Sequence, residues 1–201
     1  PIQLRVEAAY AVERIGDGAK AKLKPLAIGQ AGDDPDDELK GCGLRAVWPG
    51  GITVEELLST LTPPRRRSLI GAYQVFLSHE LIEHLEPPHL PTALKWVEEQ
   101  EAKRAVPGPF GELMDAIILK AWEHLDFPRV LEALARAILS RLRQHDQIVE
   151  TKKDDLQSQS AFLGEDTKRR KLLEALLSLL TDPEKEVLLV AYSRPLLFSA
   201  V

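Results

Sequence analysis

Periodicity limits this chain more than any other feature: apolar residues recur at three- and four-residue spacings almost throughout, and strict alternation over a strand's length is rare. Such spacing puts one apolar stripe on a helix, so the expected class is all-α. Aromatic residues make up 5% of a chain that is 44% hydrophobic, so the core must be aliphatic, built mainly from Leu and Ala. Between Gly, Pro and Asp clusters the pattern predicts helices over 3–15, 18–30, 36–47, 53–61, 66–77, 78–86, 91–104, 109–125, 128–145, 167–180 and 183–192. Thr53 precedes Val54-Glu55-Glu56 as an N-cap with acidic first-turn residues. Asp182-Pro183-Glu184 places proline at a first helical position.

The first sixty residues contain an internal repeat. A shift of 35 positions lays Leu4-Arg5 over Leu39-Lys40, Ala8 over Gly43, Ala9 over Leu44, Ala11 over Ala46 and Val12 over Val47. Each copy is a helix with a small-residue stripe followed by a turn, Gly16-Asp17-Gly18 or Pro49-Gly50-Gly51. Small residues let helices approach closely, and a helix pair that cannot bury its apolar face alone does so by stacking on the next pair. That is the logic of an α-solenoid.

The run from Leu4 to Asp17, LRVEAAYAVERIGD, resembles the second helix of a HEAT repeat of the bilin-lyase type, with its V-R-x-x-A-A-x-A-L-x-x-I-G-D pattern. Asp33 to Lys40, leading into Gly41-Cys42-Gly43-Leu44-Arg45-Ala46-Val47-Trp48-Pro49, resembles the next such helix, although Trp-Pro replaces the usual turn. Leu39 to Pro64, and the segment from Arg169 to Lys185, are similar to regions that follow the ATPase module in bacterial NACHT-type STAND proteins. The resemblance implies a HEAT-like solenoid of stacked helical hairpins, truncated at both ends. It further implies a scaffold or sensor that binds a protein partner for a neighbouring ATPase on the parent chain, to which the lone cysteine adds a cytoplasmic setting and the absent catalytic motifs a non-catalytic role. The parent sequence upstream is then expected to carry a Gly-Lys-[ST] phosphate-binding loop.

On this reading, 1–62 form HEAT-like repeats, 63–145 continue the array, 146–168 are a polar linker or mobile loop, and 169–201 begin a further repeat. In the middle segment Ile117, Ile118, Ala121, Trp122 and Leu125 form one face, and Val130, Leu131, Leu134, Ala137, Ile138 and Leu142 another. They suggest a hairpin turning at Asp126-Phe127-Pro128. The chain starts at Pro1 without Met and stops after an apolar stretch, so it is read as an excised piece. An apolar face is expected to stay exposed at its ends, with oligomers as a consequence of truncation.

Several kinds of chemistry find no support in the residues. A single cysteine, Cys42, makes neither an internal disulfide nor a cysteine zinc cluster. It sits in the small stripe of a repeat helix, where a buried, unreactive thiol is expected. The Gly-Lys pair at the heart of a phosphate-binding loop never occurs, and no cofactor is expected. His79 and His84 are five residues apart, about 140° around an ideal α-helix, whereas a zinc helix needs four. A metal-binding enzyme using histidines within 79–89 is therefore the lesser alternative, and no metal ligand is assigned. Adjacent carboxylates such as Glu55-Glu56 and Glu98-Glu99 diverge on a helix. Asp33-Asp34 and Asp36-Asp37, around Pro35, are expected to cap the helix that follows.

The chain carries 31 acidic and 26 basic residues, a net charge of -5, which argues against a dedicated nucleic-acid binder. A nucleic-acid scaffold remains the other alternative, through Arg65-Arg66-Arg67 or Lys168-Arg169-Arg170-Lys171. Arg65, Arg66 and Arg67 are the first candidates for partner binding, facing an acidic surface. Trp96 is the fourth, placed at the edge of the stripe formed by Leu94 and Val97.

Overall fold

A computed structural model describes residues 1–15, 17–65, 71–102, 108–144 and 165–183. Among the described residues every regular element is helical and none is a strand, as the three- and four-residue period requires. None of these helices is long and apolar enough to cross a membrane. The chain divides into two compact units, one made of Pro1–Ala93 with Val106–Met114 and the other of Leu94–Ala105 with Asp115–Val201.

The first unit opens with α1 (Ile2–Ile15), which matches its predicted span closely. The single helix predicted over 18–30 is instead three short pieces: α2 (Asp17–Lys20), a 3-10 turn at Ala21–Leu23 and α3 (Lys24–Ala27). Pro25 is the cause, because it has no N–H to donate to Ala21 and fits only the first turn of a helix. Gly29 and Gly32, at φ +83° and +69°, then turn the chain away in the left-handed region.

Next comes α4 (Glu38–Val47), the helix around which this unit packs. Eight of its ten residues are buried. A Cβ added at Gly41 would fall on the backbone of Ala72 and Tyr73, and one at Gly43 on the backbone of Ala27. The two glycines therefore let α4 press against α3 on one side and the start of α6 (Ala72–Val75) on another. A third face meets α1: Ala9 shares a core cluster with Leu39, Cys42 and Ala46, with Val6, Tyr10 and Val12 packed against it. The two helices related by the 35-residue shift are thus in contact, through Ala9 on α1 and Leu39, Cys42 and Ala46 on α4, while Ala8 and Ala11 of α1 face away from α4.

After α5 (Val54–Thr60), the predicted pair of helices over 66–77 and 78–86 differs from what is seen. From Ala72 to Glu83 the described chain is one continuous helix: α6, a π-type turn at Phe76–Glu80, and α7 (Leu81–Glu83). The π turn absorbs one extra residue without ending the helix, so the apolar spacing shifts there and reads in the sequence as a boundary. A 3-10 turn at Pro87–His89 leads into α8 (Leu90–Ala102).

The division between units falls within α8 and within α9 (Pro109–Glu123). The second unit continues with α10 (Pro128–Gln144) and α11 (Asp166–Leu179), which pack against each other. The turn predicted at Asp126-Phe127-Pro128 is present, with Phe127 N–H donating to His124 C=O at 3.1 Å. Both predicted faces point inward, except that Leu131 is only half-buried. The helix predicted over 183–192, the proposed linker after 146 and the turn residue Gly16 lie largely or wholly outside the described residues.

Candidate functional site

The densest buried polar chemistry of the first unit gathers where α4 begins. Asp34 is 4% exposed, and its carboxylate accepts backbone N–H bonds from Leu39 at 3.1 Å and Lys40 at 2.9 Å. It closes the N-terminus of α4 from three residues before Asp37, which itself stands in the left-handed region at φ 58°. Of the acidic residues around Pro35, Asp34 therefore caps the helix as expected. Asp37 serves another purpose: its carboxylate accepts from the Arg65 backbone N–H at 2.8 Å and faces Arg65 Nε at 3.5 Å. The Arg65 guanidinium also donates to the Asp34 carbonyl.

Lys40 completes this cluster. Its ammonium donates to Thr62 Oγ1 at 2.7 Å and lies 4.5 Å from the centre of the Tyr73 ring. The Tyr73 hydroxyl donates to the Thr62 carbonyl at 2.6 Å and accepts from the Thr62 N–H at 3.0 Å. Burial lowers the Lys40 ammonium to about 8, against the pull of the Asp37 carboxylate. Burial raises the Tyr73 phenol above its ordinary value. At neutral pH Lys40 is thus mainly a charged donor and Tyr73 a neutral hydroxyl, a set suited to clamping the segment before Arg65 onto α4. Neither Lys40, Thr62 nor Tyr73 was singled out by the sequence. The Asp34-x-x-Asp37-x-x-Lys40 spacing is the one local signal that could have found the lysine.

A second cluster lies on the other side of α4. The Tyr10 hydroxyl donates to one Glu38 oxygen, and the other accepts the Ala72 N–H at 2.9 Å, next to Gly71, where a side chain would collide with it. Arg45 bridges Glu13 at 3.3 Å and Glu80 at 2.8 Å, the latter carried into reach by the π turn. Cys42 is buried beside them. Burial first, then the charges of Glu13 and Glu38, push its thiol up to about 12. Such a thiol stays protonated and is a poor nucleophile.

In the second unit Arg141 stands between two acids, its Nε 2.6 Å from Glu101 and its Nη1 paired with Asp115. All three residues are buried. Here too the polar groups answer one another across helices.

Of the residues put forward from sequence, Arg65 belongs to the first unit and Trp96 to the second. Arg65 is held by Asp37 and Asp34, with 59% of its side chain still exposed. Arg66 and Arg67 lie outside the described residues. Trp96 is 6% exposed, a correction to its expected place as a partner contact at the edge of the stripe: the indole is buried. In the second basic run Lys168 pairs with Glu165 at 3.1 Å and Lys171 with Asp126 at 3.0 Å, while Arg169 pairs with Asp166.

His79 lies in the π turn and His84 just past α7, both exposed, so the ideal-helix angle between them does not apply. Among the described residues no three His, Cys, Asp or Glu side chains gather as they would around a metal ion. Compared with models of known families, with curated proteins and with solved structures, the chain matches none.

Proposed function

We propose that this chain is a non-catalytic helical-repeat scaffold, a HEAT-like solenoid that mediates protein interaction for a NACHT-type ATPase on the same polypeptide. The observation that supports this reading is the contact between α1 and α4, the helices superimposed by the 35-residue shift, through Ala9 on one and Cys42 and Ala46 on the other. Helices stacked in this way offer a long surface whose contacts add layer by layer. The polar groups of α4 are already engaged in holding its neighbours, which suits a scaffold better than bond-making chemistry.

The parent protein provides the test. Its sequence should hold a Gly-Lys-[ST] loop, and occupying that nucleotide site should change the hydrogen-exchange protection of α1 and α4. A parent with no such loop would overturn the ATPase part of the proposal. Unchanged protection on nucleotide binding would remove the sensing role.

A further inference from the structure

We propose that the outer face of α1 is a self-association surface at which two copies of this chain pair their first helices antiparallel. The proposal concerns α1 of the 201-residue chain and does not rest on the scaffold reading, in which a preceding repeat of the longer polypeptide would cover this same face. The helix buries Ala9 against α4, while Leu4, Ala8, Ala11 and Ile15 point to solvent. Leu4 is 69% and Ile15 73% exposed, the two most exposed large apolar residues of the described chain. Their spacings of four, three and four residues set all four on one stripe, running about 16 Å along the helix axis. Singly exposed apolar residues are ordinary on a protein surface, but a continuous stripe is not.

The stripe is its own complement. Reversing the helix about its midpoint between Ala9 and Tyr10 sets Leu4 against Ile15 of the second copy and Ala8 against Ala11. Each large residue at an end then meets a large one, while the small pair in the middle lets the backbones approach. The flanking charges agree with the same register. In this register Glu7 lies opposite Val12 and about 3 Å along the axis from Arg14 on the same flank, within reach of that long side chain, twice by symmetry. Both residues are exposed, and among the described residues neither has an ion-pair partner. Arg5, the basic residue that would otherwise crowd the pair, is turned back onto its own chain by donating to the carbonyls of Ala31 and Asp33.

Two helices of this length bury less than a standard interface, so association is weak, with a dissociation constant on the order of 100 µM. Sedimentation of the 201-residue chain should show its mass rising from 22.4 kDa toward twice that value with concentration. Glu7→Arg and Arg14→Glu should each weaken the dimer about tenfold, because two attractive contacts become two repulsive ones. The double variant Glu7→Arg/Arg14→Glu should restore it, and Ile15→Lys should abolish it. These side chains are exposed, so circular dichroism should remain that of the unsubstituted chain in every variant. A chain that stays monomeric overturns the proposal, as does a dimer indifferent to Ile15→Lys or a charge swap that fails to restore association.

Discussion

At Lys40 the cost of burying an ammonium has a measurable sign. Its folded value of about 8 lies below the ordinary 10.5, so between these limits the unfolded chain holds the extra proton and stability rises with pH. Cys42 works in the opposite direction but later: its contribution is whole below pH 9 and fades as pH climbs toward 12. Denaturant titrations below pH 9 should therefore isolate the lysine. From about pH 7.5 to about pH 9 the unsubstituted chain should gain about 1 kcal/mol relative to Lys40→Met. The glycines of α4 give a second residue-scale prediction. Gly41→Ala and Gly43→Ala each drive a methyl group into the backbone of a neighbouring helix and should cost about 3 kcal/mol, at the upper end of overpacking. Gly111→Ala, in α9 with open space around it, should raise stability by about 0.5–1 kcal/mol, as read from unfolding midpoints.

Single elements owe their limits to a few identifiable groups. The Thr53 hydroxyl accepts the Glu56 N–H at 3.2 Å, and the Glu56 carboxylate accepts the Thr53 N–H at 3.3 Å, a reciprocal cap on α5. Thr53→Ala should cost about 1 kcal/mol, seen as a lower thermal midpoint. This cap was legible because its two residues are three apart and need nothing from the rest of the chain. The cap on α4 was legible in kind only. Four aspartates surround Pro35, and which of them turns its carboxylate to Leu39 and Lys40 depends on Asp37 being left-handed and tied to Arg65. The π turn at Phe76–Glu80 was not legible, because an inserted residue and a helix break leave the same mark on the apolar spacing.

At the scale of whole units, charges distant in sequence are joined. Arg141 meets Asp115, 26 residues away, and Glu101, 40 away, drawing α8, α9 and α10 of the second unit onto one buried guanidinium. Arg141→Met would strand two buried carboxylates and should cost about 3–5 kcal/mol, measured by urea denaturation. The surface pair Arg136 and Glu132, four residues apart on α10 and both well exposed, should give less than about 1 kcal/mol when broken by Arg136→Ala. Burial, more than the number of ion pairs, separates the two results.

By itself, the sequence determined the all-α class, most helix spans and the hairpin turn before α10. These follow from local spacing, since stripe period, caps and proline act within a few residues. Only the tertiary structure decided which polar residues meet. Lys40 reaches Thr62 and Tyr73 because Gly41 lets two helices cross closely, and Arg65 is drawn to Asp37. Each of these contacts joins positions whose distance along the chain carries no information about their distance in space. That distance is set by how closely the helices pack.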